Sequence, residues 1–232
     1  MCGRYARYSD IEQIKSHFPI DRVALDEAAP NYNVAPTQEV LAVIHQGEFN
    51  TLDKLHWGLV PFWAKDIKIG SKMINARQET VSSKPSFREA FKKRRCLIPA
   101  DGFFEWTGSK GQKQPVFITL PDKKPFVFAG LWETWQDKAD SGTVYRSCTI
   151  ITREAAGELA KIHNRMPVVL APEAYTEWME PGKGGVESLL GILSSVAVTE
   201  FTYYPVSKQV NAVRNNEPGN IEPVEVEVGF IN

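Results

Sequence analysis

The chain of 232 residues holds only three cysteines, Cys2, Cys96 and Cys148, and no Cys-x-x-Cys pair. That excludes the disulfide framework of a small secreted domain, and no His/Cys cluster has zinc spacing, so no metal site is expected. An odd cysteine count with no secretory leader points to a reducing, cytoplasmic setting. No apolar run approaches the roughly 18 residues that a membrane-spanning helix needs, so membrane insertion is not expected. An excess of charge of one sign is missing too. The 27 basic and 28 acidic side chains leave a net charge of −1. A protein that coats nucleic acid non-specifically is strongly basic, so any nucleic-acid contact here must be local. The densest basic cluster, Lys92-Lys93-Arg94-Arg95, reads either as such a contact or as a solvated helix end. Internal repeats and a dividing linker are absent. The expectation is one domain over 1–232, with a loosely held tail from about Asn216, where Pro218, Pro223 and several glutamates gather.

Apolar residues make up 43% of the chain and charged ones 24%, which is the profile of a full hydrophobic core. Ser9 or Asp10 can cap a short helix to about Phe18 with Ile11 and Ile14 on one face. Asn31 to Thr37 reads as an ordered loop, since the residue before Pro36 is biased to extended backbone. Glu39–His45 and Thr51–Trp57 form a hairpin pattern around Gln46-Gly47-Glu48. Ser86 is placed to cap a helix over Phe87–Lys93. Strands are expected at Arg95–Pro99, Gly102–Thr107, Val116–Leu120, Pro125–Trp135 and Val144–Thr152. Turn residues at Gly108 to Gly111, Pro121-Asp122 and Asp140 to Gly142 separate them. Helices are expected at Glu154–Lys161, Pro172–Met179 and Val186–Leu193, and a last strand at Val196–Tyr204. This spacing predicts an α+β fold with a largely antiparallel, curved or barrel-like sheet and short flanking helices.

The chemistry begins at Met1-Cys2-Gly3-Arg4. Initiator methionine is generally removed before a small residue, which leaves Cys2 with a free amine and a thiol on adjacent carbons. The amine condenses with an aldehyde to an imine, and the thiol closes onto the imine carbon as a thiazolidine. The unperturbed amine titrates at roughly 7.7–8.0 and the thiol at about 8.5. In Phe103-Phe104-Glu105-Trp106, strand alternation sets Glu105 on the face of Phe103. A carboxyl among aromatics is desolvated and its pKa rises, which suits proton transfer near neutrality. Asn75 and Arg77 lie two apart in an extended segment and point the same way, a grip for an oxyanion, sugar or phosphate. The competing reading of Arg77 is a surface ion pair with Glu79 or a neighbour. His163 follows a helix and precedes an apolar run, at an element boundary where catalytic side chains are common. Trp57 to Trp63 carries aromatics that either fill the core or stack bases.

These segments together resemble the SRAP family, abasic-site processing proteins that crosslink to damaged single-stranded DNA. The resemblance rests on Met1 to Tyr5, Tyr32 to Thr37, Trp57 to Ala64, Asn75 to Arg77 with Glu79-Thr80, Arg95 to Trp106, Ala129 to Trp132, Ile162 to Pro167 and Val206-Ser207. It implies that Cys2 captures the ring-opened aldehyde of an abasic deoxyribose as a reversible thiazolidine. It assigns Glu105 and His163 to proton transfer, Asn75 to the sugar, and Arg4 and Arg77 to phosphates. Pro36 and Trp63 would border a narrow cleft for single-stranded DNA or a single-strand/double-strand junction. A monomer is the default expectation and no cofactor is expected; imine formation can also drive β-elimination, a lyase activity, and the family has also been considered a self-processing thiol peptidase, although a general aminopeptidase could equally remove Met1. Two departures stand out: Phe104 replaces a common tyrosine, and Asn164 a common aspartate beside the histidine. Two rival functions remain open. One is an N-terminal-nucleophile amide hydrolase of the glutamine amidotransferase kind. The other is a non-catalytic single-strand-binding module using Trp57, Phe62, Trp63 and the Lys92–Arg95 cluster.

Overall fold

The computed structural model describes residues 2–109, 111–137, 142–182, 185–195 and 197–226. Lys110, Asp140 and Ser141 of the expected turns, Val196 of the expected last strand, Met1 and the end of the tail lie outside the described residues.

In chain order the strands are β1 (Tyr5–Arg7), β2 (Arg22–Val23), β3 (Asn31–Val34), β4 (Glu39–Gln46), β5 (Phe49–Trp57), β6 (Asn75–Arg77), β7 (Arg95–Ala100), β8 (Gly102–Thr107), β9 (Gln114–Thr119), β10 (Phe126–Gln136), β11 (Val144–Glu154), β12 (Arg165–Pro167), β13 (Val169–Leu170) and β14 (Thr202–Pro205). The α-helices are α1 (Ile11–His17), α2 (Arg88–Lys93), α3 (Tyr175–Met179) and α4 (Val186–Ser195). Asp10 caps α1 in a capping box with Gln13, and Ile14 is its buried residue.

One sheet closes on itself. Strands β11, β10, β7, β4 and β5 pair antiparallel in succession, and β5 returns to β11 in parallel through His56↔Ser147 and Trp57↔Cys148. Closure removes the exposed edges that an open sheet presents. A second sheet, ordered β14-β9-β8-β1-β3, packs against it. Side chains alternate between the faces of the closed sheet as the strand period requires. Val40, Ala42, Ile44, Leu55, Trp57, Cys96, Ile98, Phe128 and Ile150 share a cluster with Tyr5, Phe103 and Cys2. The intervening residues, such as Leu41, Val43, Leu97, Val127, Leu131 and Ile151, pack with Phe91, Trp178, Leu189 and Ile192 of the helices. The fold is therefore the expected α+β, barrel-like and predominantly antiparallel architecture with short flanking helices.

Several local expectations are corrected. Asn31–Val34 is a strand, because it completes the sheet beside β1 through Tyr5↔Val34. Ser86 does not cap α2. The cap position is Phe87, without a side-chain bond, and the Lys84 carbonyl takes the N–H groups of Phe87 and Arg88 at 2.9 Å each. The helix expected from Glu154 is shorter and 3-10 in kind, over Gly157–Lys161. Strand β11 runs on to Glu154, and Gly157 takes φ +60°. The last strand is Thr202–Pro205, set by pairing with β9, while Ala197 makes one isolated bridge to Leu170. Arg95 is not a surface cation. It is 2% exposed and donates to the carbonyls of Phe91, Lys92, Trp178 and Glu180, capping the ends of α2 and α3. Arg94 pairs with Glu133 at 2.7 Å. The four-residue basic patch of the sequence thus reduces to the two lysines.

The tail begins on firm contacts. Tyr32 N–H donates to Asn216 Oδ1 at 2.7 Å, Tyr204 Oη to the Ile221 carbonyl at 3.0 Å, and Val224 N–H to the Pro205 carbonyl at 3.0 Å. Residues 227–232 lie outside the described residues. Among the described residues, no helix is long and apolar enough to cross a membrane.

Candidate active site

Cys2 has no exposure to solvent. It lies three residues before Tyr5, which opens β1, an inner strand of the second sheet between β8 and β3. The antiparallel register of β1 and β8, Tyr5↔Phe103, continues toward the amino terminus through the bond from Phe104 N–H to the Arg4 carbonyl, 2.9 Å. That register carries residues 2–3 to the level of Glu105. The alternation read from the sequence holds: Phe103 joins the cluster of Cys2, whereas Phe104 and Trp106 pack in a separate one with Ala6 and Phe117. Burial pushes the Cys2 thiol well above its usual range, and the negative charge of Glu105 pushes it further.

Glu105 is 6% exposed. Burial pushes its carboxyl up from 4.5 to about 7, although positive charge at the amino-terminal end of the chain and on Lys113 pulls it down. A carboxyl poised there exchanges protons in both directions near neutral pH. The elevation has a stability consequence with a definite sign. The folded state holds the proton more tightly than the unfolded state, so this stability is complete below about pH 4.5. It falls as pH rises toward 7, by up to about 3 kcal/mol. Glu105→Gln is therefore expected to match the wild type in stability at acid pH and to exceed it by up to about 3 kcal/mol at pH 8. Urea unfolding at the two pH values reads the difference, and an equal offset at both would contradict the buried, proton-holding carboxyl.

Asn75 opens β6, which lies parallel to β11 through Asn75↔Ile150. Its Nδ2 donates to the Cys2 carbonyl at 2.8 Å, and its Oδ1 is buried without a hydrogen-bond partner. The preceding carbonyl, of Ile74, accepts from Trp57 Nε1 at 2.9 Å. Trp57 is thus a core residue at 1% exposure, not a stacking surface.

His163 follows the Gly157–Lys161 turn and precedes β12. Arg165 N–H donates to its Nδ1 at 2.9 Å. A neutral ring bonded this way carries its proton on Nε2. Burial lowers the pKa of His163, and neighbouring positive charge lowers it further. Ile162, Leu159 and Met166, which flank it, belong to the same cluster as Cys2.

The structure thus brings Asn75 and Glu105 to Cys2, and residues flanking His163 belong to the same cluster. The remaining predicted residues lie farther out. Arg77 is exposed on β6. Arg4 is half-buried, donates to Asn33 Oδ1 at 2.6 Å and to the Val210 carbonyl at 2.9 Å, and sits 5.9 Å from the Trp106 ring. Among the described residues, ion pairs engage Arg88, Arg94, Arg146 and Arg165 but neither Arg4 nor Arg77. Pro36 stands in a loop fastened to β5 by Thr37 N–H to the Trp57 carbonyl, 2.8 Å, with Thr37 at φ +71°. Phe62 and Trp63 are exposed at 54% and 43%, on a loop anchored by Trp135 Nε1 to the Ala64 carbonyl. The loop's entry is fixed by a close backbone approach: a Cβ on Gly58 would meet the Gly70 carbonyl oxygen at 2.6 Å.

Sequence reading missed two residues here. Asn33 holds Arg4 and the carbonyls of Val210, Ala212 and Asn215 at once. In Asn31-Tyr32-Asn33-Val34 no local pattern sets it apart from Asn31. Arg165, not Arg77, is the ion-pair partner of Glu79. Its signal was a second cation two residues from His163. Among the described residues, no group of three His, Cys, Asp or Glu side chains is placed to hold a metal ion.

The family model described as "SOS response associated peptidase (SRAP)" matches residues 1–213. The abasic site processing protein YoqW of Bacillus subtilis is 44% identical over 96% of this chain and 99% of its own. The abasic site processing protein YedK of Escherichia coli is 34% identical over 97% of this chain and 100% of its own. A crystal structure of a Bacteroides thetaiotaomicron protein superimposes with a TM-score of 0.81, covering 97% of this chain and all of that one at 24% identity. At that identity it speaks for the fold alone.

Proposed function

The chain belongs to the SRAP family, and on that premise we propose that it processes abasic sites in single-stranded DNA by covalent capture through Cys2. The observation that carries this reading is the meeting of a buried aminothiol residue with a carboxyl pushed up to about 7 and an amide that holds its carbonyl. Relatives named abasic site processing proteins supply the substrate class.

Once Met1 is removed, the neutral amine of Cys2 attacks the C1′ aldehyde of the ring-opened sugar. The carbinolamine loses its hydroxyl as water and becomes an imine. Glu105 accepts a proton from the attacking nitrogen and returns one to the departing oxygen. The thiol then adds to the imine carbon, the carbon–sulfur bond forms, and the thiol proton ends on nitrogen. One water leaves and no oxidant or cofactor is needed. Burial holds the thiol protonated until the imine arrives, which keeps it from competing reactions. His163 presents Nε2–H as a donor to developing negative charge, and Asn75 orients the Cys2 backbone. Arg4 and Arg77, which form no ion pair among the described residues, suit flanking phosphates. Pro36, Phe62 and Trp63 border the path of the strand. Without ring closure the imine supports β-elimination of the 3′ phosphate, a lyase reaction.

The test is the intact mass of the protein before and after incubation with a single-stranded oligonucleotide bearing one abasic site. The expected result is a starting mass lacking Met1, then a heat-stable adduct heavier by the oligonucleotide minus one water. Free Cys2 without adduct would overturn the reading and turn attention to glutamine amide hydrolysis.

A further inference from the structure

We infer that Glu79 and the Arg165 guanidinium form a clamp that fixes the position and tautomer of His163. The inference rests on the proton-transfer role proposed for His163. Arg165 opens β12 opposite Glu154. Its Nη1 and Nη2 meet the two carboxylate oxygens of Glu79 at 2.6 and 3.1 Å. Nη2 also donates to the Thr152 carbonyl at 2.6 Å. A two-point bond to a carboxylate plus a bond to a main-chain carbonyl leaves the planar guanidinium one position.

The main chain of the same residue governs the imidazole. Arg165 N–H donates to His163 Nδ1 at 2.9 Å, and the Arg165 carbonyl lies 3.2 Å from that nitrogen. The N–H obliges the neutral ring to keep its proton on Nε2. When the ring gains a second proton, Nδ1–H turns to the carbonyl. One residue therefore serves both states of a proton-transfer group, provided that it is held still. Strand β12 has only three residues and leans on β11 alone, so its own backbone gives little rigidity. The side-chain clamp supplies it. Glu79 is itself fixed in a turn just after β6, where Gln78 N–H bonds the Thr152 carbonyl at 2.8 Å and Thr80 N–H the Arg77 carbonyl at 3.0 Å.

Among the described residues, the charges that act on the His163 ring are Arg165 on its own segment and Lys113 from the β8–β9 hairpin. Both oppose a charged imidazole, and Glu79 offsets the first. Glu79 and Arg165 thus act on His163 as positioning residues.

The experiment is two-bond 1H–15N NMR of the histidine rings in the full chain, for wild type, Glu79→Gln and Glu79→Asp. The Glu79 side chain is half exposed, so the isosteric amide is not expected to disturb folding. The wild type should show His163 as the Nε2–H tautomer. Glu79→Gln should mix the two tautomers, lower the titration midpoint, and slow adduct formation by about tenfold at unchanged DNA affinity. Glu79→Asp, which keeps the charge, should return the midpoint toward wild type. An unaltered ring spectrum and midpoint in Glu79→Gln would overturn the clamp, as would a loss of DNA affinity equal to the loss of rate. Should the wild type form no adduct at all, the function above falls while the ring spectra still decide the clamp.

Discussion

Replacing Cys2 by serine is expected to remove the heat-stable DNA adduct and to leave strand cleavage. The substitution keeps the terminal amine, which alone makes the imine, and removes only the second nucleophile. A hydroxyl is a far weaker nucleophile than a thiol. The imine then persists long enough to eliminate the 3′ phosphate or to hydrolyse. Denaturing gels on an abasic oligonucleotide separate the outcomes, since a thiazolidine survives heating and an imine does not unless it is first reduced. A normal, heat-stable adduct from Cys2→Ser would remove the ring-closing step. Because Cys2 is wholly buried beside apolar neighbours, a serine hydroxyl there should cost about 1–3 kcal/mol of stability, so thermal unfolding of the variant is measured alongside the gels.

The second large effect is that of Glu105→Gln on adduct formation and reversal. Reversal must protonate the departing thiolate or ring nitrogen, and formation must expel water. Both steps need a group that holds and releases a proton near neutral pH, and burial pushes Glu105 up to about 7. An amide keeps the shape and cannot do either. The expected loss is on the order of 10²–10⁴-fold in the rate of reversal. Affinity for the oligonucleotide should change by less than about threefold, equivalent to under about 1 kcal/mol. On the proposed mechanism, the protonated carboxyl of the wild type is the acid for reversal. Its rate should therefore be highest below pH 7 and decline as pH rises through that value. The variant's profile should be flat there. A matched loss of binding and rate would remove Glu105 from the proton transfers and make it a binding group. The stability gain expected for the same variant at pH 8 runs opposite to its loss of rate, the usual relation where a catalytic group is held in an unfavourable state.

How much of this was legible in the chain differs from segment to segment. The strands from Arg95 to Glu154 were, because period-two alternation and turn residues act locally. So was the pairing of Glu105 with the face of Phe103, since adjacent residues on a strand must diverge. Asn31–Val34 was not, because a strand that completes a sheet takes its identity from its neighbour, here β1. The Lys92–Arg95 cluster misled because charge in a sequence does not say which guanidinium ends beneath two helix termini. Arg95 is drawn inward by the carbonyls of α2 and α3, which no local pattern specifies. Trp57 was read two ways and is core, decided by its bond to Ile74 on a segment seventeen positions on.

The sequence by itself determined the period of each strand, the thiol that follows Met1, and the joint order of motifs that marks the family. These are properties of near neighbours and of covalent chemistry. Only the tertiary structure decided that the barrel closes between β5 and β11, that Asn75 reaches the Cys2 carbonyl across seventy-three positions, and that Glu79 pairs with Arg165 instead of Arg77. Those contacts join residues whose separation along the chain carries no geometric information. They are selected together, when two sheets bury one apolar cluster.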